Sequence, residues 1–300
     1  MKAYLQECRI CPRDCGVDRY ISNGFCDAGA DLRINLAQLH FGEEPVISGS
    51  RGSGTIFFTH CNLKCVFCQN YSISQEGFGS YCSPEDLSDL MLDLQQQGAH
   101  NINLVTPTHY SLLIGDALVL AKENGLKIPV VWNSNAYEKV ETLAQMEGLV
   151  DIYLPDYKYS YAAYGKLYSS APDYPEIALK ALVEMKRQVG DLALDEEGIA
   201  TRGLIVRLLV LPNNIAGIQR SLDLIARELG TQTQLSLMGQ YYPTHKAFLY
   251  PELSRGITPT EYDKAVDAIH AYGFKNVWTQ ELSCNNEWTP SFKADGDMVS

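Results

Sequence analysis

The chain is expected to fold as an α/β protein built on a parallel sheet. Three features of its 300 residues point there. Short apolar runs of strand length recur from about residue 51 onward, and amphipathic stretches of helical length lie between them. Several of the runs are apolar without alternation, as strands buried on both faces of a parallel sheet are. Repeated βα units give parallel strands joined by right-handed crossovers. Six or seven such units make a partial barrel, a closed barrel or an open sheet, and the pattern alone does not choose between them. The hydrophobic share of 46% supplies a core for one large domain or two ordinary ones.

In chain order, residues 1–50 stand apart. They are rich in Gly and Cys, carry Arg13, Arg19 and Arg33, and show little sustained periodicity, so no strand is predicted there. Candidate strands follow at 54–59, 101–105, 128–133, 151–154, 204–211, 234–238 and 276–279. Ser83-Pro84-Glu85-Asp86 supplies an N-cap, a proline in the first turn and early acidic residues ahead of a helix over 87–97. Thr258-Pro259-Thr260-Glu261 repeats the device ahead of a helix over 265–272. Gly98, Gly125, Gly148, Gly230 and Gly273 follow helical stretches as C-terminal caps. The expected divisions are a cysteine-rich metal-binding segment over 1–50, the α/β body over 51–282 and a tail over 283–300.

The net charge of −12 argues against nucleic acid and anionic membrane surfaces as partners, because both favour basic proteins. No apolar run approaches the roughly 20 residues that span a bilayer. The segment Met1-Lys2-Ala3-Tyr4-Leu5-Gln6-Glu7-Cys8 lacks the apolar core of a signal peptide, so a cytoplasmic location is expected. Nine clustered cysteines in such a chain suggest metal ligation in a reducing compartment rather than disulfides.

The densest cysteine run is Cys61-x3-Cys65-x2-Cys68, just after the apolar stretch Thr55-Ile56-Phe57-Phe58. Iron–sulfur cubanes usually take four cysteines, so three hold a [4Fe–4S] cluster with one iron open to a ligand. Cys82 lies 14 residues beyond Cys68, outside the compact loop. The plainer readings are a zinc knuckle or three separate buried thiols. A second set, Cys8-x2-Cys11-x3-Cys15-x10-Cys26, offers four ligands, enough for every corner of an iron–sulfur cubane or for a structural zinc. Cys82 and Cys284 read as ordinary buried or partly buried thiols.

Ligands of parallel α/β folds gather at the C-terminal ends of the strands. Those ends read Thr106-Pro107-Thr108-His109, Asn133-Ser134-Asn135, Asp156-Tyr157-Lys158, Arg207 within its strand, Gly239-Gln240, and Gln280-Glu281. Each has a structural alternative. Arg207, Asp156 and Lys158 could form an ion pair that only holds the fold, and His109 could be a hydrogen-bonded structural histidine or a proton donor. Tyr153, Tyr157, Tyr159, Tyr161 and Tyr164 read first as packing and rim residues, with a substrate-facing wall as the sharper reading.

The C-x3-C-x2-C run after a strand resembles the signature of radical S-adenosylmethionine (SAM) enzymes. The resemblance implies a partial (β/α)6 barrel with a small N-terminal cysteine-rich extension. It implies a [4Fe–4S] cluster on Cys61, Cys65 and Cys68, and SAM on the open iron. Reductive cleavage of SAM would give a 5′-deoxyadenosyl radical that takes a hydrogen atom from a substrate. Within this superfamily, residues 51–245 are similar to the glycyl-radical-enzyme activases, the group of pyruvate formate-lyase activating enzyme, and to a subgroup with extra N-terminal cysteines. Phe67 falls at the position set against the adenine, and Asn70 matches the asparagine past the third cysteine. Asp156 and Lys158 match the Asp-x-Lys motif, and Arg207 the strand arginine near SAM. Ser134 and Asn135 stand where activases carry Thr-Asn. Thr106 and Thr108 stand in place of the Gly-Gly-Glu-Pro motif, Asn133 in place of an aspartate, and Gln240 in place of a histidine. The implied activity is hydrogen abstraction, with activation of a glycyl radical enzyme as one form and modification of a peptide or small molecule as another. The implied partner is a one-electron reductant of flavodoxin or ferredoxin type. The rival readings are a non-catalytic iron–sulfur electron carrier and a zinc-stabilised binding protein.

Overall fold

The computed structural model describes residues 1–280 together with Leu282, Pro290 and Phe292. Glu281, Cys284 and most of the tail expected over 283–300 lie outside the described residues. The chain opens with a short helix α1 (Ala3–Gln6), then β1 (Leu32–His40), α2 (Pro45–Ser48), β2 (Ser53–Phe58), α3 (Tyr71–Ser74) and β3 (Ser80–Cys82). It continues with α4 (Pro84–Gln96), β4 (Ile102–Val105), α5 (Ser111–Glu123), β5 (Val130–Ser134), α6 (Val140–Leu143), β6 (Ile152–Pro155), α7 (Ala162–Ser169) and α8 (Tyr174–Val189). The last elements are β7 (Ala193–Leu194), β8 (Ala200–Leu209), α9 (Ile218–Leu229), β9 (Gln234–Met238), α10 (Pro259–Ala271) and β10 (Val277–Thr279).

One sheet runs in the order β10-β9-β8-β6-β5-β4-β2-β1-β3, with β7 paired to β8. From β2 to β10 every neighbouring pair along that path is parallel. These are the strands expected from the apolar runs, and β2, β4, β5, β6 and β9 are buried at every position. Among the described residues β10 and β3 form the two edges and do not pair, so the sheet is a partial barrel and is not closed. The expected caps are present at both helices named above. Ser83 accepts from Asp86 N and Asp86 returns the bond to Ser83 N, and Thr258 and Glu261 do the same. No helix among the described residues is long and apolar enough to cross a membrane.

The N-terminal fifty residues depart from expectation. Residues 32–40 form β1, which pairs antiparallel with both β2 and β3. Its burial does not alternate and its polar residues Arg33, Asn35 and Gln38 interrupt the apolar ones, so period-two reading misses it. After β1 the chain turns into the base of the barrel. Val46 and Ile47 of α2 pack there against Val131, Ile152, Leu154, Ala200 and Ile205. Burying an aliphatic side chain of this kind contributes about 1.5–3 kcal/mol. Gly49 makes the return turn at φ 48°, where a Cβ would stand 2.5 Å from Ile199 and 2.6 Å from His100, so only glycine fits. The consequence is that residues 40–44 enter the barrel from below.

Candidate active site

The cysteine loop leaves β2 through His60, whose φ of 66° turns the chain sharply. The loop is held from several sides. Val66 N donates to Tyr168 O at 2.9 Å, Lys246 N donates to Val66 O at 2.8 Å, and Gln75 Nε2 donates to Cys65 O at 2.9 Å. Each thiol has a hydrogen-bond partner. Asn135 Nδ2 donates to Cys61 Sγ at 3.4 Å, the Ser169 hydroxyl to Cys65 Sγ at 2.9 Å, and Cys68 Sγ meets the Ser74 hydroxyl at 3.2 Å. All three sulfurs face one cavity of about 240 Å³. Burial pushes the Cys61 thiol up to about 12, and burial with the neighbouring Cys65 pushes Cys68 up to about 11. Three thiols at this depth do not ionise together without a cationic centre between them.

The opposite wall is an ion network. Arg207 Nε donates to Asp156 Oδ1 at 2.7 Å, its Nη2 to Asn133 Oδ1 at 2.6 Å and its Nη1 to Glu43 Oε2 at 3.3 Å. Lys158 Nζ donates to the second oxygen of Asp156 at 2.7 Å. Burial alone would raise the Asp156 carboxyl, but the charges of Arg207 and Lys158 overcome it and hold the group below the usual carboxylate range. Glu43 also accepts from Asn103 Nδ2 at 3.0 Å. Burial raises both Glu43 and Glu44, Arg207 opposing it in each. One oxygen of Glu44 is buried with no partner among the described residues.

Of the residues singled out from sequence, Phe67, Asn70, Thr106, Ser134, Asn135, Asp156, Lys158, Arg207 and Gln240 line this cavity with the three cysteines. Phe67 is fixed by edge contacts with Tyr159 and Tyr241, at 6.3 and 5.8 Å between ring centres. Thr108 is not in the cavity. Thr106 takes φ 61°, and the chain then enters a 3-10 turn over Thr108–Tyr110 that carries Thr108 and His109 away. His109 instead lines a second, smaller cavity with Cys8, Cys11, Cys15 and Cys26. The structure therefore brings the four N-terminal cysteines together. Cys82 is buried in β3 and belongs to neither cavity. Tyr153, Tyr157 and Tyr159 are buried in the core rather than facing the cavity, and Tyr161 is partly exposed. Sequence reasoning missed Glu43 and Glu44. Two adjacent carboxylates before Pro45, flanked by apolar residues, are the only sequence signal that could have drawn attention to them.

The donor set fits a cluster better than a single ion. Among the described residues no three or more His, Cys, Asp or Glu side chains converge closely enough to hold one metal ion. The three thiols instead stand round a space that Glu44 also lines, and one Glu44 oxygen is buried without a partner among the described residues. An iron–sulfur cluster with a zwitterionic partner would meet both features. Cys61, Cys65 and Cys68 would hold the cluster, and the charged wall would face the amino-acid end of SAM.

Comparison with known proteins agrees. The family profile described as Radical SAM superfamily matches residues 55–190, from β2 to the end of α8. The uncharacterized protein MJ0674 of Methanocaldococcus jannaschii is 32% identical over 286 residues, covering 92% of this chain and 78% of that protein. Among solved structures, HydG, a maturase of the [FeFe]-hydrogenase, superposes with a TM-score of 0.50 at 12% identity over 73% of this chain. The match takes in 49% of HydG, about half its length, and shows the fold.

Proposed function

The chain belongs to the radical SAM superfamily, and from that premise we propose that it uses SAM to abstract a hydrogen atom from a glycine of a partner enzyme, as a glycyl-radical activase. The family implies a [4Fe–4S] cluster and SAM. When bound, the reduced cluster supplies the electron that breaks the sulfonium–C5′ bond of SAM. The residues of the chain do the rest. Cys61, Cys65 and Cys68 anchor the cluster at the cavity wall. Lys158 and Arg207 bind the carboxylate of SAM, and Phe67 packs on its adenine side. Asn70, Ser134, Asn135, Thr106 and Gln240 supply the remaining polar contacts. Glu44, with its free oxygen, accepts from the ammonium group. In that role it replaces the missing Gly-Gly-Glu-Pro motif. The buried loop and the sealed base keep water from the reacting centre.

The observation that supports this reading is the meeting of three thiols, Cys65 buried and Cys61 and Cys68 half-buried, and a five-member charged wall in one cavity. Such a wall is more than a structural ion pair needs, because a buried pair is stabilising only when fully partnered. The reductant is proposed to be a one-electron carrier of flavodoxin or ferredoxin type. The test is anaerobic. Reduced, iron-loaded protein is incubated with SAM, and 5′-deoxyadenosine is measured; its absence would overturn the enzyme reading. Candidate glycyl radical enzymes are then added and examined by electron paramagnetic resonance (EPR). A glycyl doublet supports activation, whereas 5′-deoxyadenosine without a doublet moves the substrate to a peptide or small molecule.

A further inference from the structure

Cys8, Cys11, Cys15 and Cys26 line a cavity of their own, which shares no residue with the cavity of the Cys61 loop. The turn that builds it is regular. Gly16 N donates to Cys8 O at 2.9 Å, Cys8 N to Val17 O at 2.9 Å, Asp14 N to Cys11 O at 3.1 Å, and Phe25 N to Cys15 Sγ at 3.4 Å. Four thiolates on one zinc ion would each sit about 2.3 Å from it. No such convergence on a single point exists among the described residues. The sulfurs surround a void instead.

The walls of that void carry a second, independent signal. Arg19 is only 3% exposed, and its Nη2 has no acceptor among the described residues. The rest of its guanidinium is pinned, Nε to Gly29 O and Nη1 to His109 O, each at 2.7 Å. His109 uses Nε2 on Thr59 O at 2.8 Å, and its Nδ1 is buried without a partner. Both residues line the cavity. A buried donor left unpaired is destabilising, the more so when it is charged. The inorganic sulfides of a cluster would give Arg19 an acceptor; a bare zinc ion adds none beyond its thiolates.

The cavity also touches the catalytic loop directly. Arg13, between Cys11 and Cys15, donates through Nε to Asn62 O at 2.8 Å and through Nη2 to Ser169 O at 3.2 Å. Asn62 follows Cys61, and the Ser169 hydroxyl binds Cys65 Sγ. Asp27, next to Cys26, pairs with Lys64, next to Cys65. From the ring of thiols, the orphaned Arg19 nitrogen and these bridges, we infer that the N-terminal knuckle holds a second [4Fe–4S] cluster which passes single electrons to the catalytic one. The step moves one electron from the reduced second cluster to the oxidised first, with no bond made or broken and no proton transferred. A low-potential one-electron donor protein replaces the electron. The electron route rests on the proposed function; the second cluster does not.

The test begins with anaerobic reconstitution in iron, sulfide and zinc together. The wild-type chain is expected to take up about eight irons and as many sulfides, with no stoichiometric zinc. The triple variant Cys61→Ala/Cys65→Ala/Cys68→Ala should keep about four irons and, when reduced, an EPR signal that SAM leaves unchanged. One zinc per chain in that variant, or no metal, overturns the inference. Cys11→Ser/Cys15→Ser should lose half the iron, keep a SAM-sensitive signal, and show at least a tenfold slower reduction of the catalytic cluster by ferredoxin. An unchanged rate removes the electron route. Arg19→Gln should lower the midpoint potential of the SAM-insensitive signal and leave the other unmoved, since a lost hydrogen bond to sulfur makes a cluster harder to reduce. A shift in neither potential would overturn the placing of Arg19 on a cluster. A triple variant that keeps its cluster while the wild-type chain fails to cleave SAM would sink the proposed function alone.

Discussion

Cys61, Cys65 and Cys68 occupy one side of a cavity of about 240 Å³ whose other side is charged, whereas Cys8, Cys11, Cys15 and Cys26 close in on one another around a small space. The first set comes from a loop at the end of a parallel strand, where folds of this class leave room for ligands. The second comes from a turn-rich segment of short helix and loop, tied down by Arg13, Asp14 and Asp27. The difference teaches that ligand number and open volume go together. On the proposed reading, three thiols beside a polar cavity would leave a metal corner for chemistry. Four thiols with an arginine in the wall would leave none, and that site would store or pass charge or hold shape.

The strongest way to break this comparison is to remove one thiol from the first side and leave the second intact. Cys65→Ala should lower SAM cleavage by roughly a thousandfold or more, since residues acting as a unit fail together. The N-terminal metal should stay, and metal analysis beside a 5′-deoxyadenosine assay checks both halves. Arg207→Met comes next. It leaves Glu43 buried without its cation and Asp156 with Lys158 alone, and should cost about 3–5 kcal/mol in denaturant unfolding. The same variant has a pH signature. Asp156 is depressed in the folded chain, so its stabilisation is present above the unfolded value of about 3.9 and is lost as pH falls through the lower folded one. Without Arg207 the acid transition should move to higher pH, and a shift in the opposite direction would show that the network is not what holds Asp156 ionised.

Arg13→Ala sharpens the comparison at the seam between the two sites. Losing its bonds to Asn62 and Ser169 should cost about 1–3 kcal/mol and speed proteolysis of residues 1–30 in the metal-loaded protein. Equal protease resistance in the variant would count against the tie. Ser83→Ala is the smallest change and the control. It removes the cap of α4 at a residue that lines neither cavity, and should cost about 1 kcal/mol without altering metal content or SAM affinity.

Much of this was legible in the chain. Unbroken apolar runs such as Thr55-Ile56-Phe57-Phe58 reveal doubly buried strands because both faces need the same chemistry. The spacing of Cys61, Cys65 and Cys68 is local, so sequence carries it whole. The polar residues at the ends of β5, β6 and β8 gather as expected because parallel strands point their C-terminal ends the same way. What escaped depends on long-range geometry. Glu43 and Glu44 reach the cavity only because β1 runs antiparallel and delivers them from below, and β1 has no clean period. Thr108 and His109 leave the cavity because Thr106 takes a left-handed backbone that favours glycine or asparagine, and no residue type announces it. The acid absent from Asn133 is present after all, on Glu43, one hydrogen bond away at 3.4 Å.

The base of the barrel is corked by α2, whose Val46 and Ile47 fill the space between β5, β6 and β8. A vessel stoppered at the bottom and open along one seam, between β3 and β10, leaves its mouth and that seam as the ways in. A chain in which Ile47 were cut back to alanine would add a third at the floor, and is the place to look for water reaching the cavity from beneath.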